Sequence, residues 1–476
     1  MVDDITPAKP KKKRRGLWWK VPLYGLALLL LAFAMFRFVV HQRVQNRLNA
    51  IRDAGYPVTL EELDAWYAYP DGPNAADVYQ QAFEAYVAEE QLERILAPLN
   101  GHTQLPGPGE KMPEEVAKRV ANYLERNAKA IALLEEAAKI DECRFPIDLR
   151  EGYVLLPHGV QLKQAVRMLK LQSLLDADRG HYDRAADRCL TMIAVAQAMK
   201  NEPILLSQTI SISHQYRVYE HIEQLLATGR ISDSRLQSLS QAINQIDLDR
   251  MALRAMVWEQ CLGHDLFNNP ATLINEYPYN TMRSRIGFIA RRVTGWLDID
   301  HYHYLDITQS RIHFAEHPTW PVPKSLDDNR LFAPPHQTNS FWRKPLGPTL
   351  ITYQSFFISK ADKRVVLTGI AVERYRQKHS QLPAQPQDLV PEFLDTIPND
   401  PFTGIPLSYR LEGAGAIIYS LGVDGVDDGG RERDEYGMNA FSNFGTTQDN
   451  HTDITFTFGG LQEKLWPSEV EDNGGQ

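Results

Sequence analysis

The first sustained pattern along the chain is an unbroken apolar run, VPLYGLALLLLAFAMF, from Val21 to Phe36. Sixteen uncharged residues in a helix cover about 24 Å, short of the roughly 30 Å hydrocarbon core of a bilayer. The flanks supply the difference. Trp18 and Trp19 suit one interface, and Tyr24 lies near it. Arg37 has a stem long enough to carry its charge to the far headgroups, leaving Phe38, Val39 and Val40 at the boundary. Residues 17–40 are expected to form one transmembrane helix, after a basic tail over residues 1–16. Ala32-Phe33-Ala34 fits a signal-peptidase site, but apolar residues continue past it with helical spacing, which favours a retained anchor.

Beyond the span the pattern stays helical. Val44, Leu48 and Ile51 extend the helix towards Gly55 and Pro57. Thr59-Leu60-Glu61-Glu62 is a capping box opening a short helix with Leu63 and Trp66. Asn74, after the Asp71-Gly72-Pro73 turn, can cap a helix reaching about Leu96. A loop over Pro106–Pro113 precedes a helix carrying Val116, Val120, Tyr123 and Leu124 to about Lys139. Leu162, Ala165, Val166, Leu169, Leu174 and Leu175 mark one apolar face, and Ala185, Cys189, Met192, Ile193 and Ala196 the next, across a turn at Gly180. This pair is similar to a tetratricopeptide hairpin, without a repeat of the 34-residue period. Ser232 can cap a helix with Leu236, Leu239 and Ile243. From about 265 to 350 the periodicity degrades. The Pro- and aromatic-rich segment 315–349 is expected to be irregular, and helix resumes from Leu350 to Lys378. The fold class is therefore mainly α: a helical domain over 41–350, a smaller α+β module over 351–460 and an acidic tail over 461–476.

Charge sharpens this picture. The first twenty residues hold seven Lys/Arg against two Asp, leaving −14 for the rest once that +5 is taken out of the net −9. An acidic body does not suit nucleic-acid binding. The Lys11–Arg15 cluster beside an apolar helix sets topology rather than nuclear import, and places the N-terminus in the cytoplasm with the body extracytoplasmic. The three cysteines, Cys143, Cys189 and Cys261, fit no zinc or redox spacing and are expected to be buried free thiols.

Candidate chemistry is sparse. His301 and His303 invite a metal reading, but on a helix two residues apart they do not share a face, and surface positions explain them. No G-x-S-x-G, H-E-x-x-H, phosphate-binding or dinucleotide-binding pattern occurs in the sequence.

The C-terminal region is the most informative. Ala371, Glu373, Tyr375 and Pro383 end a long helix, with Ser380 between them. Then come Pro398-Asn399-Asp400-Pro401-Phe402-Thr403-Gly404-Ile405-Pro406-Leu407-Ser408-Tyr409 and a strand, Ala416-Ile417-Ile418-Tyr419-Ser420-Leu421-Gly422, entering Val423-Asp424-Gly425. This order resembles the globular part of type II secretion major pseudopilins. The resemblance covers about 95 residues and implies a pseudopilin-like helix packed on a small antiparallel sheet. It also implies a Ca²⁺ site at Asp424, Asp427 and Asp428, with Asp453 as a late ligand. An insertion from Arg431 to Thr452 departs from the family's short acidic loop and brings Arg431 and Arg433 close; ordinary Asp/Gly turn chemistry accounts for the same residues. The basic stretch with Gly16 is similar to a prepilin leader, but Val21 stands where that leader carries Glu, so filament assembly is not expected. The chain as a whole is also similar to bacterial single-pass envelope proteins, through Ile51–Thr59, Asp71–Ala76 and the C-terminal run, which implies the inner (cytoplasmic) membrane.

The expected function is that of a membrane-anchored, non-enzymatic scaffold that contacts a protein partner, within the envelope or a secretion assembly. An envelope hydrolase with a carboxylate-based site is the alternative. Discriminating them requires geometry: a pocket of converging His, Asp or Glu favours the enzyme.

Overall fold

The structure, a computed structural model, describes residues 20–89, 111–151, 155–269, 282–323, 326, 349–430 and 453–458. The basic tail, Trp18 and Trp19, most of the Pro106–Pro113 loop, most of the 315–349 segment, the 431–452 insertion and the acidic tail lie outside these residues.

One N-terminal helix is long and apolar enough to cross a membrane. This helix, α1, runs unbroken over Lys20–Asp53. Its apolar side chains stay exposed through Val39, and burial begins at Val40. The exposed part is about 20 residues, or about 30 Å of helix. Val44, Leu48 and Ile51 pack into the body with Val58, Phe267, Leu297, Tyr304 and Leu305. A single rod thus joins the apolar segment to the folded domain.

The body is mainly helical. α2 (Leu60–Trp66) is capped as the sequence predicts: Glu62 N–H donates to Thr59 Oγ1 at 3.1 Å, and the Glu62 carboxylate reaches back to Val58 N–H at 2.8 Å. α3 (Ala75–Ala85) is capped by Asn74 but ends well before Leu96. The predicted single helix from Pro113 is two, α4 (Glu114–Arg126) and α5 (Ala128–Ala137). One residue explains both differences. Asn127 is fully buried, and its amide accepts from Val87 N–H at 2.8 Å and donates to Val87 O and Tyr123 O. It ends α4 and fixes the chain leaving α3 in an extended path.

α6 (Pro157–Asp178) and α7 (Tyr182–Ala196) form the expected hairpin across Gly180, whose φ of +80° suits glycine. α8 (Leu205–Leu226) and α9 (Asp233–Asn244) pack on α7, and α10 (Leu248–Asn268) follows. Ser232 occupies the position before α9, but its hydroxyl meets Ser234 Oγ rather than a helix N–H. The three cysteines are free and buried.

The stretch of degraded periodicity ahead of the 315–349 segment contains two helices, α11 (Met282–Thr294) and α12 (Trp296–Glu316). The periodicity of α12 is masked because its buried face carries Asp300, His301, Thr308 and Arg311 among the apolar residues. α12 crosses α10 where Gly263 lies against the Tyr304 ring; a Cβ there would stand 2.0 Å from the phenol oxygen. Tyr304 O–H donates to the Glu259 carbonyl.

The C-terminal part is built on α13 (Thr349–His379), which touches α8, α9 and α10. Three strands, β1 (Ser408–Glu412), β2 (Gly415–Ser420) and β3 (Ile454–Phe458), make an antiparallel sheet in the order β1-β2-β3. Ser408 pairs with Tyr419, and Ile418 with Phe456. Every residue of β2 is buried. β3 meets α13 at Gly369, where a Cβ would lie 2.6 Å from the Phe456 ring. Asp400 is buried and ties the turn to the sheet, accepting from Phe402 N–H at 2.8 Å and Leu421 N–H at 2.7 Å.

Candidate functional site

The four carboxylates expected to bind Ca²⁺ flank the end of β2 and the start of β3. Asp424 accepts from Val426 N–H at 3.0 Å, a local turn bond. Asp427 accepts from Gly429 N–H at 2.9 Å and Tyr419 O–H at 3.1 Å. Asp453 is fully buried and accepts from Gly430 N–H at 2.7 Å. Asp428 has one buried carboxylate oxygen with no hydrogen-bond donor. Asp427 and Asp453 lie near the Tyr419 phenol, which burial and then the Asp427 bond push up. Among the described residues no three His, Cys, Asp or Glu side chains converge as a metal site would require. What the geometry brings together here is a braced turn.

The histidines of the 298–303 stretch separate. His303 is half-buried on α12, whereas His301, expected at the surface, is buried against α10. Its Nε2 meets His264 Nδ1 at 3.0 Å, its ring stacks on Phe267, and Asn268 contacts the other nitrogen of His264 at 2.9 Å. Burial pushes His301 down to about 3 and His264 down to about 4, so both are neutral at pH 7. Two neutral rings sharing one hydrogen bond at a helix crossing are a packing device.

A second network surrounds Glu202, which is fully buried in the turn between α7 and α8. His158 Nε2 lies 2.9 Å from one carboxylate oxygen, Ser207 O–H donates to the other, and the His158 ring stacks on Phe145. The residue types are those of a nucleophilic triad, but the order is not: the hydroxyl is bonded to the carboxylate rather than to the imidazole. A small cavity lined by Ala82, Phe83, Tyr86, Leu134, Gln161 and Met168 lies between α3, α5 and α6, and no charged side chain, His or Cys is among the described residues that line it.

A third group was not singled out from the sequence. Lys163, Arg167 and Lys170 recur at helical spacing on α6, and His214, Arg217 and His221 do so on α8, which packs beside it. Lys163, Arg167, Lys170 and Arg217 are half-buried; His214 and His221 are buried. Among the described residues none of the four cations has an ion pair with a carboxylate. Glu220 is the acid whose charge reaches Lys170 and Arg217. Burial, with Arg217, Lys163 and Arg167 adding to it, pushes His214 down to about 3; burial and Lys170 do the same to His221. Burial lowers Lys163, Lys170 and Arg217 as well. Arg167 Nε, His214 Nδ1 and His221 Nε2 are buried without hydrogen-bond partners. Such a cluster strains the fold electrostatically and is suited to an anion.

Comparisons with protein-family models, with curated proteins and with solved structures return no match.

One carboxyl also departs from its ordinary behaviour. Burial pushes Glu259 on α10 up to about 7, with Arg311 opposing the shift. The i, i+4, i+7 spacing on α6 and the i, i+3, i+7 spacing on α8 were readable signals for the cationic face. That the two faces meet was not, because it depends on how α7 turns the chain.

Proposed function

We propose that this chain is a single-pass protein of a bacterial inner membrane and that it works as a non-enzymatic scaffold. In this reading α1 crosses the bilayer, the N-terminus is cytoplasmic, and the helical body binds an acidic segment of a partner at the α6–α8 face. The observation that carries it is the four-cation face of Lys163, Arg167, Lys170 and Arg217, without a carboxylate at ion-pair distance among the described residues. Half-buried cations repel one another and have lost part of their hydration, so an acidic partner relieves a cost already present in the free protein. The continuity of α1 supports the anchor. The order of long helix, Asp400 turn and three-stranded sheet supports the pseudopilin-like reading, because Asp400 hydrogen-bonds the two stretches that carry the resemblance.

The test is capture of the intact protein from membranes, comparing wild type with an Arg167→Glu/Arg217→Glu variant of unchanged circular dichroism. Partners retained by wild type and lost by the variant are expected, and their release should steepen with salt. Identical partner sets would remove the cationic face from the function.

A further inference from the structure

Four large, well-exposed apolar side chains of the body stand close together along the chain. They lie on α11 and the residue pair after it: Ile286 is 58 % exposed, Ile289 60 %, Val293 63 % and Trp296 58 %. Ile286, Ile289 and Val293 share one helix face at i, i+3 and i+7. Phe288 belongs to the opposite face and is the α11 residue that packs into the body, beside Leu297, Tyr304 and the buried end of α1. The apolar face of α11 is therefore turned outwards. The helix also carries Arg283, Arg285, Arg291 and Arg292 and no acid. An amphipathic, Arg-rich helix with a tryptophan at its end has the composition of one that lies in a membrane interface.

Its position argues for the same occupant. Gly295, in the left-handed region at φ +89°, makes the corner between α11 and α12. A Cβ there would stand 2.9 Å from the Arg37 side chain and 3.2 Å from the Phe36 ring. Arg37 itself forms a 2.8 Å ion pair with Asp298, on the first turn of α12, so its charge is held by the body rather than only by headgroups. Phe36 and Arg37 are where the apolar run of α1 ends. The corner thus fixes the end of α11 at the depth where α1 leaves the bilayer.

We infer that α11 lies in the headgroup–acyl boundary of the bilayer that α1 crosses, with Ile286, Ile289, Val293 and Trp296 in contact with lipid. The inference rests on the reading of α1 as the span. Two contacts then orient the body: the rod of α1 and, beside it, an in-plane helix that restricts tilt and rotation about that rod.

The test uses the full chain in phosphatidylcholine–phosphatidylglycerol nanodiscs, with nitroxide labels on Leu29→Cys, Ile289→Cys and Leu411→Cys in turn. The native cysteines are buried, and all three new positions are exposed. Expected is a label at 289 that collides with dissolved oxygen several-fold more than with an aqueous nickel complex, as at 29, while 411 shows the reverse preference. An aqueous signature at 289 with a lipid signature at 29 would overturn the placement of α11 and leave the anchor standing. An aqueous signature at 29 would overturn the anchor and the inference together.

Discussion

Glu202 and the α6–α8 face are neighbouring places where the helical body buries polar groups, and they do so on opposite terms. At Glu202 a carboxylate lies between an imidazole and a hydroxyl, within a turn that also engages Gln208 through the Glu202 carbonyl. On α6 and α8, four cations and two neutral histidines face one another, with Glu220 as the acid in their field. Compensated polar groups in a core specify how helices meet. Uncompensated charge is a store of binding energy, because a ligand of opposite sign recovers what folding gave up. The contrast separates a compensated network from a cationic surface without ion pairs among the described residues, even where both contain histidine.

The largest expected effect falls on the compensated side. Glu202→Ala leaves His158 and Ser207 buried without their partner and should lower stability by about 3–5 kcal/mol in urea unfolding. A loss under about 1 kcal/mol would show that the network is not holding the α7–α8 turn. Acid sharpens the comparison next. His214 has a folded value of about 3, against about 6.5 for an unfolded histidine, so the unfolded state takes up the proton first. Its contribution is complete above pH 6.5 and is lost as pH falls towards 3. Between pH 7 and 5 the loss is about 2 kcal/mol for this one group, and His214→Gln should remove that much of the pH dependence. Glu259 works in the opposite sense: with a folded value of about 7 it gains stability as pH falls from 7 towards 4.5, offsetting roughly one histidine. An unchanged pH profile in His214→Gln would mean that His214 is solvated.

On the uncompensated side the effects on folding reverse. Arg217→Gln should leave stability unchanged or raise it by about 0.5 kcal/mol, since it removes repulsion at a half-buried site. A soluble polyglutamate should raise the melting temperature of wild type and not that of Arg167→Gln/Arg217→Gln. Equal shifts in both proteins would place the anion elsewhere. The smallest effect belongs to the acidic turn after β2. Because Asp424, Asp427 and Asp453 already accept backbone N–H donors, EGTA should change unfolding by less than about 0.5 kcal/mol. A clear fall in melting temperature would establish a structural Ca²⁺ there.

The long patterned elements were legible in the sequence. The apolar run of α1, the α6–α7 hairpin and the Thr59 cap follow from periodicity and local hydrogen-bonding chemistry. What escaped depends on contacts between distant segments. Asn127 looks like a surface amide until Val87 is placed against it. α12 shows degraded periodicity because its buried positions include Asp300, His301 and Arg311. α11 escapes for the opposite reason, as its apolar residues face outwards instead of towards a core. The cationic face needed two helices from either side of α7 to be brought together.

The central claim is that α1 anchors a body lying on the extracytoplasmic side. Sodium carbonate extraction of membranes, followed by protease added outside spheroplasts, tests it most directly. The account predicts that the chain stays in the carbonate pellet and that external protease digests the body down to a membrane-embedded N-terminal fragment. Release of the full chain by carbonate, or protection of the body until the spheroplasts are lysed, would contradict it.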